Sequence, residues 1–284
     1  MTLTMDHYCV LGNPVAHSKS PAIHARFAEL TGEVLEYSRL LAPLDGFAAT
    51  LHDWIARGGR GCNVTVPFKF EAFRLAATAS ERATLAQAAN TLSFGDGGQI
   101  AADNTDGAGL VQDIQLNAGV SLAGRDILLL GAGGAAAGVL GPLLTAGPRR
   151  LVVTNRTHAK ARDLVARHAA HPSLLTVLQK TELLALEQQG LQADFDVIIN
   201  ATASSLGGAA VPVDPRVLKP GALAYDMMYG AAAKGFADWA LAHGAVPRDG
   251  LGMLVEQAAE SFAIWRGVRP PSAQVLQEMR KALA

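Results

Sequence analysis

Short apolar runs alternate along the whole chain with segments whose apolar residues recur every three to four positions, the rhythm of strands followed by helices. Strands are expected at His7–Leu11, Val34–Leu40 and Cys62–Val66. Helices are expected from Ser20 as N-cap, with Pro21 at the first position and Gly32 as the stop, and over Gly46–Arg57. Two short helices over Pro67–Ala77 and Ser80–Ala88 lead to a hairpin, Thr91–Phe94 and Gln99–Ala102, across Gly95-Asp96-Gly97-Gly98. A helix then runs from Asp106 to about Gly119. The rhythm restarts with strands at Asp126–Leu130, Arg150–Thr154, Leu174–Leu178, Asp196–Asn200 and Ala222–Asp226, and helices to Ala146 and over Thr157–Ala170, Lys234–His243 and Leu251–Trp265. In the last helix, Ser272–Leu283, Val275, Leu276, Met279 and Leu283 share one face. The pattern is that of an α/β protein with mostly parallel strands. With 284 residues it predicts two domains, divided near Asp106.

Composition narrows the function classes. The chain is 50% hydrophobic and 17% charged, with a net charge of −1. It lacks the cationic excess that nucleic acid requires, so no nucleic-acid partner is expected. From Ile127 to Pro148 there is no charged residue, and the run meets the length of about 20 residues for a membrane span. It also holds Gly131, Gly133, Gly134, Gly138, Gly141 and Pro142, which no membrane helix would combine, so the run reads as half strand and half helix. Met1 to Val10 carries Asp6 and no apolar run of signal-peptide length. Cys9 and Cys62 form neither a disulfide framework nor a zinc motif, which favours a cytoplasmic location. His168 and His171 have no evident third ligand, so no metal is expected.

The glycine turn is the first chemical signal. Gly131-Ala132-Gly133-Gly134-Ala135-Ala136 follows a strand and opens a helix, fitting G-x-G-x-x-A, in which small residues let backbone N–H groups approach a pyrophosphate. The next strand ends in Thr154-Asn155-Arg156-Thr157, with no acid to hold ribose hydroxyls and Lys160 one turn on. A cation beside amide and hydroxyl groups suits the 2′-phosphate of NADP rather than NAD. Asn155 or Thr157 would also serve as an ordinary N-cap.

The first half offers polar loops. Ser18 and Ser20, beside a helix N-terminus, could hold a small carboxylate or simply cap the helix. In Asn63-Val64-Thr65-Val66-Pro67-Phe68-Lys69, Pro67 marks the first turn of a helix. Lys69 therefore sits at the positive end of the dipole, which costs up to about 1 kcal/mol; it is either a solvated lysine or a proton-transferring group. Asp106 is either a cap or the partner of Lys69 across the two halves. No G-x-S-x-G is present, which argues against a hydrolase.

Taken in order, Gly12–Pro21, Asn63–Lys69, Ala89-Asn90-Thr91, Asp103–Gly107, Gly131–Ala136, Asn155-Arg156-Thr157, Asn200-Ala201-Thr202, Tyr225-Asp226-Met227 and Asp249–Leu254 with Gln257 resemble the shikimate dehydrogenase family over essentially the whole chain. The resemblance implies an N-terminal α/β substrate-binding domain and a Rossmann-type doubly wound NADP-binding domain with a cleft between them. The first is discontinuous, residues 1–105 plus 250–284, and the second covers 106–249. It implies a cytoplasmic NADP-dependent oxidoreductase, a monomer or homodimer, that reversibly reduces 3-dehydroshikimate to shikimate in aromatic amino acid biosynthesis. By resemblance, Ser18 and Ser20 take the substrate carboxylate with Thr65 and Tyr229 nearby. Asn90, Asp106 and Gln257 hold ring hydroxyls, and Lys69 paired with Asp106 is the acid/base. Asn155, Arg156, Thr157 and Lys160 clamp the 2′-phosphate, and Thr202, Met227 and Gly250 complete the cofactor site.

The chain departs from the family pattern where Lys160 replaces a frequent Arg, and where Lys234-Gly235-Phe236 replaces a more usual Thr-Pro-Phe. Two alternatives stay open: a quinate/shikimate dehydrogenase with broader substrate or NAD use, and a catalytically silent ligand sensor. Retention of Lys69 and Asp106 speaks against the second.

Overall fold

The computed structural model describes residues 5–189, 191, 194–202, 211 and 213–283. The chain divides into two compact units, Met1–Gly109 with Leu254–Ala284, and Leu110–Met253. The first unit contains β1 (Asp6–Gly12), α1 (Ser20–Thr31), β2 (Leu35–Leu41), α2 (Phe47–Ala56), β3 (Gly59–Val64), α3 (Lys69–Leu75), β4 (Thr78–Ala79), α4 (Glu81–Ala86), β5 (Thr91–Phe94) and β6 (Ile100–Asp103). Its sheet has the order β2-β1-β3-β5-β6-β4. β1 pairs in parallel with β2 and β3, whereas β5 runs antiparallel to β3 and β6.

The period of two along β1 separates the faces of this sheet. Cys9 and Leu11 join Phe47, Leu51, Cys62, Phe68 and Leu92 in one core cluster, while Tyr8 and Val10 join Val15 and Tyr37 in another. Cys9 and Cys62 are neighbours in register, both buried and both free thiols.

The chain leaves this unit within α5 (Asp106–Gln112). The second unit holds β7 (Asp126–Leu130), α6 (Gly134–Thr145), β8 (Arg150–Thr154), α7 (His158–Ala169), α8 (Leu175–Leu178), β9 (Glu182–Ala185), β10 (Phe195–Asn200), β11 (Leu218–Asp226), α9 (Lys234–Ala242) and β12 (Val246–Arg248). Every pairing here is parallel, in the order β12-β11-β10-β7-β8-β9. Counted from β7 this is the doubly wound order with its switch point between β7 and β10. β7 is buried at all five positions, as a strand covered on both faces must be. The chain returns through α10 (Leu251–Arg266) and ends in α11 (Ser272–Leu283). Arg26 of α1 donates to both carboxylate oxygens of Glu278, at 2.8 and 3.0 Å, fastening α11 to the first unit.

The α/β class and the Rossmann-type sheet agree with the sequence reading, and several local expectations do not. The run Leu174–Leu178 is not a strand: it forms a short 3₁₀ turn and then α8, and the edge strand is β9. The apolar, β-branched run looked extended, but pairing with β8 selected the Glu-Leu-Leu-Ala segment instead. Ser20 is the first residue of α1 rather than its cap; Lys19 occupies that position, and the Ser18 hydroxyl accepts from the Ser20 N–H at 3.3 Å. Gly32 does stop the helix, at φ +73°. The strand after Gly58 ends at Val64, the Val66–Pro67 peptide is cis, and α3 starts at Lys69 rather than at Pro67. The helix expected through Gly119 gives way after Gln112 to a π turn over Asp113–Asn117. On α11, Val275 and Leu276 are buried but Leu283 is exposed. No helix of the described residues is long and apolar enough to cross a membrane; the uncharged run became β7 and α6.

Candidate active site

In the first unit the loops at the carboxyl ends of β1 and β3 are locked together. The Thr65 N–H donates to Leu11, and the Asn13 N–H donates to Val66. A Cβ on Gly12 would lie 2.3 Å from Thr65 Cγ2, so only glycine lets the two loops approach this closely. Lys69 stands at the first position of α3, and its carbonyl accepts from the Ala89 N–H at 2.8 Å, which aligns the Asn90 segment beside it.

The Lys69 ammonium donates to Asp106 Oδ2 at 2.5 Å, with side-chain exposures of 16% and 6%. The carboxylate supplies the counter-charge that the helix dipole denies Lys69. The two residues are 37 positions apart, yet both belong to the first unit, where the sequence reading drew the domain boundary at Asp106.

Asn90 is the hub behind this pair. Its Nδ2 donates to Asp106 Oδ1 at 2.9 Å, Thr105 Oγ1 at 2.9 Å and Gln257 Oε1 at 3.1 Å. Its Oδ1 accepts from the Thr105 N–H at 2.8 Å and the Thr91 hydroxyl at 2.9 Å. Buried hydroxyls of Thr91, Thr105 and Ser261 continue the network to Asn63, whose Oδ1 accepts from the Tyr37 hydroxyl at 2.7 Å. The strand end preceding Asp106 is held by Arg82, which donates twice to Asp103 and once to Glu260 of α10. Burial works to raise the Asp103 pKa, but Arg82 and Ser80 outweigh it and hold the carboxyl below its ordinary value.

Lys69, Asp106, Asn90 and Gln257 therefore form one hydrogen-bonded cluster. Thr65 lies at the end of β3 that leads to it, and Ser18 and Ser20, with hydroxyls 3.2 Å apart, lie on the loop after β1. Tyr229 belongs to the second unit, half-buried after β11. The sequence reading did not name Ser261, Thr91 or Thr105 as site residues. Ser261 stands four positions after Gln257 on α10, and that spacing was its only signal.

The second unit holds the predicted cofactor residues. Gly131 adopts φ +114°, and a Cβ there would meet the Ala201 carbonyl at 3.1 Å. Its N–H donates to Thr154, which joins the turn to the end of β8. Gly133 caps α6 with no side-chain hydrogen bond, and the space where its Cβ would stand is open for 4 Å. First-turn N–H groups, Gly134 to Ala136 among them, thus open a twelve-residue helix whose first five residues are Gly or Ala, a cradle suited to a pyrophosphate.

Asn155 donates to the Thr157 carbonyl at 2.9 Å, and Thr157 is the N-cap position of α7 without a side-chain cap bond. Arg156 and Lys160 are exposed and uncommitted among the described residues. Asn200 Oδ1 accepts from the Thr202 hydroxyl at 2.7 Å, the Met227 N–H donates to Asn200, and the Gly250 N–H donates to Met228. A Cβ on Gly250 would lie 2.3 Å from the Met227 carbonyl, so backbone contacts gather Met227 and Gly250, while the Asn200 side chain holds Thr202.

Beside them Asp113, fully buried, accepts two hydrogen bonds from Arg248, at 2.8 and 2.6 Å, and one from the Tyr225 hydroxyl at 2.7 Å. Burial pushes the Tyr225 hydroxyl well above its ordinary pKa, and the Asp113 charge adds to the shift.

Comparison with known proteins finds relatives over the whole chain. Residues 10–92 match the family model of the shikimate dehydrogenase substrate binding domain, 113–207 that of shikimate / quinate 5-dehydrogenase, and 250–283 that of the shikimate 5'-dehydrogenase C-terminal domain. The chain is 69% identical over 284 residues to a shikimate dehydrogenase (NADP(+)) of Acidovorax sp. (strain JS42), covering 100% of this chain and 99% of the relative. Among solved structures it is similar to an Ael1 enzyme from Pseudomonas putida, with 44% identity, a TM-score of 0.85, and coverage of 96% and 97% of the two chains. It is also similar to shikimate 5-dehydrogenase from Thermus thermophilus in complex with NADP(H) and shikimate, with 28% identity, a TM-score of 0.79, and coverage of 98% and 100%.

Proposed function

This chain belongs to the shikimate dehydrogenase family, and from that premise we propose that it is an NADP-dependent oxidoreductase that reversibly reduces 3-dehydroshikimate to shikimate. The observation that carries the reading is the Lys69–Asp106 pair with Asn90 and Gln257 around it. It is a buried acid/base set beside neutral groups that can meet ring hydroxyls.

The substrate carboxylate goes to the Ser18 and Ser20 hydroxyls, with Thr65 beside them, and Asn90, Asp106 and Gln257 take the ring hydroxyls. Lys69 gives a proton to the carbonyl oxygen as it becomes an alcohol, and in the oxidative direction takes that proton back. Asp106 holds the ammonium in place by its 2.5 Å contact, and Asn90 fixes the other carboxylate oxygen so that the pair does not have to reorganise.

NADPH, when bound, supplies the hydride. Gly131, Gly133, Gly134, Ala135 and Ala136 receive its pyrophosphate on the amides that open α6. Asn155, Arg156, Thr157 and Lys160 take the 2′-phosphate, and Thr202, Met227 and Gly250 line the remaining cofactor surface. An acid at the end of β8 would repel that phosphate, and the chain has none there. Two buried free thiols fit a reducing cytoplasm. The chain works there in aromatic amino acid biosynthesis, as a monomer or a homodimer.

The test is a steady-state comparison of shikimate with NADP against quinate with NAD. A kcat/KM at least about tenfold higher for the first pair is expected, and equal values would overturn the reading.

A further inference from the structure

Arg39 lies near the carboxyl end of β2, exposed, and its guanidinium is used in an unusual way. Nε and Nη2 both donate to one backbone carbonyl, that of Ser18, at 3.0 and 2.6 Å. The guanidinium fork matches a carboxylate, yet no carboxylate lies within ion-pair distance of Arg39 among the described residues. Glu36 of the same strand contacts His7 instead, at 3.2 Å. The segment from Gly12 to Pro21 contains no acid and carries His17 and Lys19. The first turn of α1 holds no acid and has no side-chain cap. A fixed, uncompensated cation is therefore fastened to the residue whose hydroxyl stands 3.2 Å from that of Ser20.

We infer that Arg39 is a specificity-determining residue: it anchors the Ser18 backbone and supplies the positive field that makes the Ser18/Ser20 pair select an anionic substrate group. This rests on the reading that the substrate carboxylate binds those hydroxyls. Two neutral hydroxyls favour a carboxylate over its ester only through the strength of their hydrogen bonds, because neither carries a net charge. The guanidinium does, and being held by two hydrogen bonds it loses little side-chain entropy when the ligand arrives. Arg39 touches neither the acid/base pair nor the Asn90 network among the described hydrogen bonds, so its contribution falls on binding rather than on the chemical step.

The experiment compares wild type, Arg39→Ala, Arg39→Gln and Arg39→Lys with shikimate and with shikimate methyl ester, at low ionic strength and saturating NADP. An exposed charge acting at short range changes binding by about three- to fivefold. R39A and R39Q should raise KM for shikimate by that factor, with kcat and the KM for NADP unchanged within about twofold. R39K should recover most of the loss, and the ester should show nearly the same KM with all four proteins. Thermal melts of the variants confirm that they fold. An unchanged shikimate KM in R39A overturns the inference, and so does an equal rise for acid and ester. Either result with an active wild type removes Arg39 alone, whereas a wild type inert toward shikimate removes the functional reading beneath it.

Discussion

The two units solve their binding problems with different materials. In the first, Lys69, Asp106, Asn90, Gln257, Thr105 and Ser261 are buried or nearly so and bonded to one another before any substrate arrives. In the second, the residues proposed for the cofactor offer backbone amides at α6, glycines that let strands and loops approach, and the exposed cations Arg156 and Lys160. A group that moves a proton has to be held at one geometry and shielded from water, so its neighbours are committed to it. A long ligand with a flexible phosphate can be gathered by amides and surface charge, which need no prior partners. The first kind of site fails sharply when one member is lost, and the second weakens by degrees.

The sharpest break of this contrast is Lys69→Ala. It should lower kcat by about 10²–10⁴, the usual contribution of a general acid/base, with KM values changed far less. Steady-state kinetics in both directions measure this, and a near-normal kcat would remove Lys69 from the chemistry.

Next in size is a stability effect, because the second unit has a committed network too, at Asp113. Asp113→Ala leaves the half-buried Arg248 and the buried Tyr225 hydroxyl without their carboxylate and should cost about 3–5 kcal/mol in urea unfolding. The protein that remains folded should keep its kcat, and a large fall in kcat under conditions where the variant is folded would show that this network also serves the chemistry.

Arg156→Ala should raise KM for NADPH by about tenfold, the scale of a charge-assisted contact, and leave KM for NADH alone. Equal losses with both cofactors would show that Arg156 does not read the phosphate, and the surface half of the comparison would fall with it.

A last effect concerns pH and is graded rather than abrupt. Burial lowers the pKa of His24 from about 6.5 to about 3 and that of His168 to about 4. The His24 ring is fully buried and stacks on Tyr37 at 4.1 Å. Each histidine is neutral when folded, whereas the unfolded chain takes up a proton below about 6.5. Stability is therefore full above that pH and falls as the pH is lowered toward 4 for His168 and toward 3 for His24. Chemical denaturation across this range should show the slope, and His24→Phe should lower it throughout, most completely between pH 4 and pH 3. An unchanged slope would mean that His24 is not held neutral.

The two regions also differed in how far they could be read from the residues alone. The glycine turn was legible because everything it needs is consecutive: a buried strand, small residues at the turn, and the first turn of a helix within Asp126–Ala136. The position of Arg156 was legible for the same reason, just past the end of the adjacent strand. Lys69 drew notice by its place at a helix start, but its partnership with Asp106 depends on the order β2-β1-β3-β5-β6-β4, which sets β3 beside the hairpin. Ser261 and Gln257 come from a helix more than 150 residues further along and close the same network.

The mistaken strand at Leu174–Leu178 has a related cause. Local propensity favoured a β-branched apolar run, yet the edge position went to Glu182–Ala185, built of residues that prefer helices, because β8 pairs with that segment. What this chain determined by itself was its alternation of strands and helices, its glycine turn, and the residue types able to do acid/base and phosphate-binding work. Those depend on spacing within a few residues, which the backbone converts directly into shape. Which lysine meets which carboxylate, which serine closes the network, and which arginine is left without a counter-ion were decided only by tertiary structure. Those pairings join groups far apart in sequence and follow from strand order and burial, where no local spacing reaches.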